Sequence, residues 1–566
     1  IGYGMVIISG IVCIYYNVII AWNFYFLFST INTVLPWTLC DQSWNTADCA
    51  EHRNLSQFRT GNQSSLASAE FWERNVLEMT DGIENFGTVR WPLFGCLLLA
   101  WVIVFMCLFK GIKSSGRVVY VTATFPYFVL VILLIRGVTL PGANEGIKFY
   151  VIPKWEKLQD VRVWGDAAVQ IFYSVGMAWG SLITMASYNK FDHNVYRDAM
   201  VVPLVNCGTS IFAGFVIFST LGFMSYSSGT PIETVVAQGP GLTFVAYPEA
   251  VSLMPFSHVW AVLFFLMIFT VGVDSQFGMF ETITSAFIDE YPGLLRKRKV
   301  AFTALMCLVE FLLGVPLIFQ GGIYLLQIID WYSATFSLML ISVVECVVIS
   351  WIYGVQRFVK DIELMLGKQP CIGWQIMWKY VTPTLVLFTW CFSIGTLEPV
   401  SIKSYKFPRW AIYVGWAMGA LSLLPLPVSA LFGLRRETTG TVWQRVKKLA
   451  QPAYNWGPSL EEDKVKYFHS MSQYDRERFE SSFFNMDRDR YMLLRDVDSQ
   501  GRTVGLNFEA GSKIEPVNDY ILPIEAANYF PVLFPNVECN RSKVEKSELV
   551  DEDPKIDAVS TDDESK

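Results

Sequence analysis

Long apolar runs, separated by short polar turns, set the pattern of this chain. Ten stretches hold roughly twenty or more mainly apolar residues, the length an α-helix needs to cross a bilayer. They fall at about 4–31, 91–111, 117–139, 163–191, 199–225, 258–288, 300–319, 323–353, 375–395 and 409–434. The fourth differs from the others. Its middle reads SVGMAWG, so Gly176 and Gly180 weaken a helix at the depth where lipid offers the backbone no hydrogen bond. Asp166, Gln170, Ser174 and Asn189 add polar groups to the same stretch. The pattern predicts a span broken at its centre, which is tolerated only where it is buried in protein or lines a cavity. A kinked structural helix packed on small residues is the alternative.

The polar turns carry an alternating charge. Lys110, Lys113 and Arg117, then Lys190 and Arg197, Arg296 to Lys299, Arg357, Lys360 and Lys368, and Arg435 with Arg436 all fall in alternate loops. The positive-inside rule makes that side cytoplasmic and places both ends of the chain there. The opposite loop 226–257 has no Lys or Arg and reads as a lid over the outer mouth or as an ordered surface loop. Lys148, Lys154 and Lys157 in 140–162 run against the pattern. On the outer side, loop 32–90 holds Cys40 and Cys49, nine positions apart in an oxidising compartment, so a disulfide is expected. Asn54 and Asn62 on the same loop are glycosylation acceptors. Two regions follow: a transmembrane part, 1–434, and a polar cytoplasmic tail, 435–566. The tail begins with VWQRVKKLAQPAYNWGP, which suits an amphipathic helix on an anionic leaflet, and has an acidic, disorder-prone end.

Composition narrows the class further. The 566 residues are 52% hydrophobic and 17% charged, well below the quarter or so that soluble domains carry. The net charge of −7 comes from the tail rather than the spans. No basic stripe with interleaved aromatics suggests nucleic acid. Four histidines and eleven scattered cysteines leave no zinc-like spacing. There is no P-loop, and no nucleophile–base pair or cofactor motif points to an enzyme.

Polar side chains inside spans are functional candidates because they are costly there. Gln170 and Ser174 lie four apart on the first half of the broken span, and Asn206 and Ser210 four apart on the next. Together they offer neutral groups for an anion, or ordinary interhelical hydrogen bonds. Asp274 and Ser275 next to Gly272 are oxygen ligands suited to Na⁺, or a protonated structural pair. Glu281, on the same face, offers a second carboxylate or a helix-pairing bond. Tyr16, Tyr173 and Trp179 are large aromatics with polar handles, two of them flanking the break. Asp330 lies near the outer end of its span, and Asp289 and Tyr188 near the inner side, where gates or ordinary helix ends would place them.

The ordered segments CIYYNVIIAW, LPWTLC with WNTADC, RWPLFGCLLLAWVIV, LIRGVTLPGA, QIFYSVGMAWGSLITMASYNKF, AQGPGLTFVAYPEA and ISWIYGVQRFVKDIE resemble the neurotransmitter:sodium symporters, and among them the glycine-transporting members. The resemblance runs from Ile1 to about Pro458. It implies an all-α polytopic membrane protein with a LeuT-type inverted-repeat fold. It also implies that the chain lacks the first two transmembrane helices, and with them part of both sodium sites and a chloride-site tyrosine. Tyr16 is similar to the tyrosine that touches the substrate carboxylate. Tyr173 is similar to the outer lid, and Trp179 to the residue capping a pocket for a very small amino acid. Gly176 leaves slightly more room. Gln170, Ser174, Asn206 and Ser210 match a chloride site. Ser174 and Asn206 match one sodium site; Val271, Asp274 and Ser275 match the other. Asp330 with Tyr173 matches the outer gate, and Tyr188 with Asp289 the inner. Glu345 matches a buried glutamate linked to sodium stoichiometry.

The resemblance therefore implies a plasma-membrane symporter of glycine coupled to Na⁺ and Cl⁻, working by alternating access in the lipid bilayer. Homo-oligomerisation is left open. Two alternatives stand beside it: a broader neutral amino acid symporter, and a non-transporting fragment with an interaction or regulatory role.

Overall fold

The computed structural model describes residues 1–50, 65–109, 112–229, 231–235, 241–396, 400–402, 405–452, 456–458 and 460–470, with short strand pairs beyond. Asn54, Asn62, Lys110 and the acidic end of the tail lie outside the described residues. Residues 1–476 form one compact unit, and 477–566 a second, in which Asp496–Val497 pairs antiparallel with Thr503–Val504.

The first unit is built around α1, Gly2–Ser29. At 1.5 Å per residue its 28 residues reach about 42 Å, more than the hydrocarbon core. Its buried positions, among them Ile8, Ser9, Val12, Cys13, Asn17 and Trp22, go all round the helix, so it lies inside the bundle rather than against lipid. Next come α2 (Ala67–Glu70), α3 (Trp91–Leu108), α4 (Ile112–Val138) and α5 (Ala143–Val151). Then follow α6 (Val161–Val175), α7 (Ser181–Ala186), α8 (Val195–Ser228), α9 (Ile232–Val235) and α10 (Tyr247–Ser252). The second half starts with α11 (Ser257–Glu290), α12 (Pro292–Leu295) and α13 (Lys299–Gly314). One long helix is assembled from α14 (Gly322–Ile329), a π turn at Asp330–Ser337, α15 (Leu338–Val347), a π turn at Val348–Gly354 and α16 (Val355–Leu366). The rest are α17 (Ile372–Ile376), α18 (Thr382–Gly395), α19 (Arg409–Leu423), α20 (Pro425–Arg436), α21 (Val442–Leu449) and α22 (Glu461–Ser470).

Among the described residues, seven helices are long and apolar enough to cross a membrane, or eight if the pair α19–α20, bent by 44° at Pro425, counts as one span. The sequence expectation was ten. The remaining two stretches are helical but differ from an unbroken apolar rod. The stretch 163–191 is interrupted between α6 and α7, and the one through α17 and α18 carries Trp374, Lys379 and several threonines.

α1 runs antiparallel to α11. Tyr3 bonds Glu290 at 3.2 Å, Gln276 bonds the Cys13 carbonyl at 3.2 Å, and Asn23 bonds the Phe265 carbonyl at 2.9 Å. These cross-links at both ends and the middle make the pair a spine. Around the C-terminal part of α1 an aromatic cluster ties in the loops. Trp22 meets Trp72 at 5.1 Å, Trp72 stacks on Phe244 at 4.8 Å, and Phe26 meets Phe265 at 5.1 Å. Phe244 and Tyr247 are buried, so the described part of loop 226–257 is folded against the bundle, with the Trp37 indole donating to the Pro248 carbonyl at 3.1 Å. On another side α5 approaches α8 so closely that a Cβ on Gly222 would stand 2.6 Å from the Gly142 carbonyl oxygen.

The loop 32–90 is closed by its own covalent and polar bonds. Cys40 and Cys49 form the expected disulfide. Cys49–Ala50 pairs parallel with Ser65–Leu66. Beneath them Glu70 accepts from Asn45 Nδ2 at 3.1 Å, from the Thr46 amide at 2.9 Å, and from the Thr46 and Ser65 hydroxyls. Burial works against its charge, but these bonds outweigh it and hold the carboxyl below the usual range. After α20, α21 starts with a capping box between Thr441 and Gln444, which satisfies amides at its first turn.

Candidate functional site

The predicted break is present. α6 begins at Asp160, whose carboxylate accepts from the Arg162 amide at 2.9 Å, and ends at Gly176 in the left-handed region (φ +76°). Ala178 (φ +58°) and Gly180 (φ +79°) are also left-handed, and α7 starts at Ser181. Three such residues in five turn the chain without continuing the helix. The two glycines serve differently. A Cβ on Gly176 would meet nothing within 4 Å, so open space adjoins it. A Cβ on Gly180 would stand 2.9 Å from Thr282 Cγ2, so α11 closes on the backbone there.

Around the break the aromatic residues assemble. The Tyr173 and Trp179 rings meet edge to face, with centroids 5.4 Å apart. The Trp179 carbonyl accepts from the buried Ser9 hydroxyl of α1 at 2.6 Å. Tyr15 donates to Asp330 at 2.9 Å, with the Tyr173 hydroxyl alongside, so Tyr173 and Asp330 meet on one tyrosine. Sequence reasoning chose Tyr16 and passed over Tyr15. Tyr16 turns instead toward Ser275. The visible signal was the adjacent pair Tyr15-Tyr16, but the sequence did not say which of them faces α14. Val169, Phe172, Tyr173 and Met177 line a narrow crevice against Leu338, Met339 and Ser342 of α15.

The expected anion group is brought together in part. Ser174 and Asn206 bond each other, the Asn206 amide donating to Ser174 Oγ at 2.9 Å. Ser210, one turn further along α8, donates to the Asn206 carbonyl at 3.1 Å. Gln170 is exposed one turn before Ser174. Of the expected cation ligands, Asp274 accepts from Thr122 of α4, a residue sequence reasoning missed, and the Ser275 hydroxyl points to the Val271 carbonyl at 3.4 Å. Ser174 Oγ, Asn206 Oδ1, the Val271 carbonyl, the Asp274 carboxylate and Ser275 Oγ are all oxygens, the donor type that suits a hard cation.

Past α7, Tyr188 donates to Glu281 at 3.1 Å and lies 2.5 Å from Ser285 Oγ. Lys299 of α13 reaches the same Glu281 oxygen at 3.5 Å. Asp289 is exposed two turns beyond Glu281. Glu281 thus bonds both Tyr188 and Lys299 of α13. Glu345 is partly buried on α15. Glu310 of α13, which sequence reasoning passed over, is buried beside Cys13 and Cys307. Its only signal was a single acid in TALMCLVEFLLG.

Comparison with known proteins adds a second line of evidence. A family model described as "Sodium:neurotransmitter symporter family" matches residues 1–437. The chain is 46% identical over 502 residues to the sodium- and chloride-dependent glycine transporter 2 of Xenopus laevis, covering 83% of this chain and 63% of that protein. It is 44% identical over 491 residues to the sodium- and chloride-dependent glycine transporter 1 of the same species, covering 83% and 78%. It is 42% identical over 459 residues to the sodium- and chloride-dependent GABA transporter 2 of Mus musculus, covering 80% and 76%. The chain thus spans less than two thirds of the first relative's length.

Proposed function

Since the chain belongs to the sodium:neurotransmitter symporter family, we propose that it serves a multi-pass plasma-membrane symporter that carries glycine together with Na⁺ and Cl⁻. The observation that carries this reading is the Tyr173–Trp179 pair at the broken helix, beside the open space at Gly176. The Trp179 indole takes the volume that a larger amino acid side chain would need, while the broken backbone offers amides and carbonyls to a zwitterion. The names of the first two relatives support the same substrate.

In this reading Tyr16 receives the substrate carboxylate and Tyr173 closes over it, with Asp330 completing the outer gate through Tyr15. Ser174, Asn206, Ser210 and Gln170 serve Cl⁻. Ser174 and Asn206 also serve one Na⁺, and Val271, Asp274 and Ser275 the other. Tyr188 and Asp289 belong to the inner gate, to which Glu281 and Lys299 add a paired charge. Ten spans in a LeuT-type inverted repeat, with both ends cytoplasmic, accommodate these roles. The driving force is sufficient. One Na⁺ crossing about 60 mV down a tenfold gradient releases roughly 1.4 + 1.4 kcal/mol, so two per cycle support concentration on the order of a hundredfold or more after losses.

The test is uptake of labelled glycine and leucine by cells expressing the full-length protein, with Na⁺ replaced by choline and Cl⁻ by gluconate. Glycine uptake that needs both ions, with leucine excluded, is expected. Equal uptake of leucine overturns the glycine assignment, and ion-independent uptake overturns the coupling.

A further inference from the structure

Ser9 belongs to none of the groups assigned above, yet it makes the bond closest to the break. It is fully buried on α1, and its hydroxyl donates to the Trp179 carbonyl at 2.6 Å. The Trp179 indole N–H has no hydrogen-bond partner among the described residues, so the ring is not oriented through its own polar atom. The backbone and the Tyr173 ring must orient it instead. That backbone is the carbonyl between left-handed Ala178 and left-handed Gly180, a conformation that persists only where neighbours hold it. Two neighbours do. Thr282 of α11 closes on Gly180, and Ser9 of α1 binds the carbonyl. Both stand on the antiparallel spine.

Ser9 and Tyr16 are seven residues apart on the same helix, two turns along one face, or about 10 Å along the axis. A rigid helix therefore carries both the group that holds Trp179 and the tyrosine read above as the carboxylate contact. We propose that Ser9 is a positioning residue for substrate selectivity: its bond to the Trp179 carbonyl fixes the distance between the Trp179 wall and Tyr16, and so limits the amino acid side chain that fits between them. The proposal rests on the reading of Trp179 and Tyr16 as substrate contacts. Without the bond, the Trp179 peptide can rotate and the wall retreats, admitting α-substituted amino acids such as alanine.

The experiment is the kinetics of glycine and alanine uptake by the full-length protein carrying Ser9→Ala, Ser9→Thr or Trp179→Leu, normalised to the amount at the cell surface. With Ser9→Ala the ratio of kcat/KM for alanine over glycine should rise about fivefold, as expected when one buried hydrogen bond is lost. Ser9→Thr, which keeps the hydroxyl, should restore the wild-type ratio. An unchanged ratio in Ser9→Ala at normal surface level overturns the proposal, as does a Ser9→Thr variant that behaves like Ser9→Ala. If Ser9→Ala does not reach the surface, Ser9→Cys, with its weaker donor, must give an intermediate ratio, and an unchanged one overturns the proposal. Trp179→Leu separates the two levels. If it leaves the ratio unmoved, the pocket reading itself fails; if it raises the ratio and Ser9→Ala does not, only the role of Ser9 fails.

Discussion

Asp274 shows what one side chain contributes and what its neighbour adds. Its carboxylate accepts from the Thr122 hydroxyl, which leaves further lone pairs for a cation. In the proposed role, Asp274→Asn keeps the shape and removes the charge, so the Na⁺ concentration for half-maximal uptake should rise tenfold or more, with Cl⁻ dependence unchanged. Thr122→Val should move it by less, because it removes only an orienting bond. Titrating uptake against Na⁺ for the two variants checks both statements, and equal shifts would contradict the ordering. Asp274 was legible in the sequence because an acid inside an apolar run is conspicuous. Thr122 was not, because a hydroxyl in VVYVTATFPYF looks like any helix threonine that bonds back to its own turn. The same limit explains Tyr15 and Tyr16. Adjacent residues face directions about 100° apart on a helix, and only the packing of α14 decides which one meets Asp330.

At the scale of elements, the broken helix was the most legible feature. Two glycines in an otherwise apolar span point to an interruption on backbone chemistry alone, and α6 and α7 end and begin at them. Which partners clamp the break was not legible, because Ser9 and Thr282 lie about 170 and 100 residues away in sequence. α10 carries a different consequence. Glu249 on this helix is fully buried near Ser68 of α2, and burial pushes its carboxyl up to about 7. A raised carboxyl favours the folded form when protonated. Stability of the outer packing is therefore greatest below the unfolded value of 4.5, falls as pH rises between 4.5 and about 7, and is lower by on the order of 3 kcal/mol above that. Hydrogen exchange of 241–254 measured between pH 5 and 8, corrected for intrinsic rates, should show protection decreasing with pH. Glu249→Gln should flatten that dependence, and a profile identical to wild type would contradict it.

For the whole molecule, the all-helical membrane class was clear from run length and charge alternation, but the hierarchy of the helices was not. α1 and α3 have similar apolar character in sequence, yet α1 is buried on every side and α3 is half open. Burial depends on which helices surround a span, and one-dimensional hydropathy contains no such information when lipid and protein interior are equally apolar. The antiparallel α1–α11 pair is cross-linked at both ends and the middle by Tyr3, Gln276 and Asn23. In the loop 32–90, the pairing of Cys49 with Ser65, beside the disulfide and above Glu70, brings the two ends of residues 51–64 to one point. The segment is thereby a graft point. Its length can change with little effect on the rest, since doubling a closed loop costs only about 0.6 kcal/mol. A short epitope tag inserted after Phe58, which leaves the Asn54 and Asn62 acceptor sequences intact, should leave surface delivery and uptake near wild type, as immunolabelling of intact cells would report. The same tag placed between Thr46 and Cys49 should not, because it would pull apart the bonds that close the point.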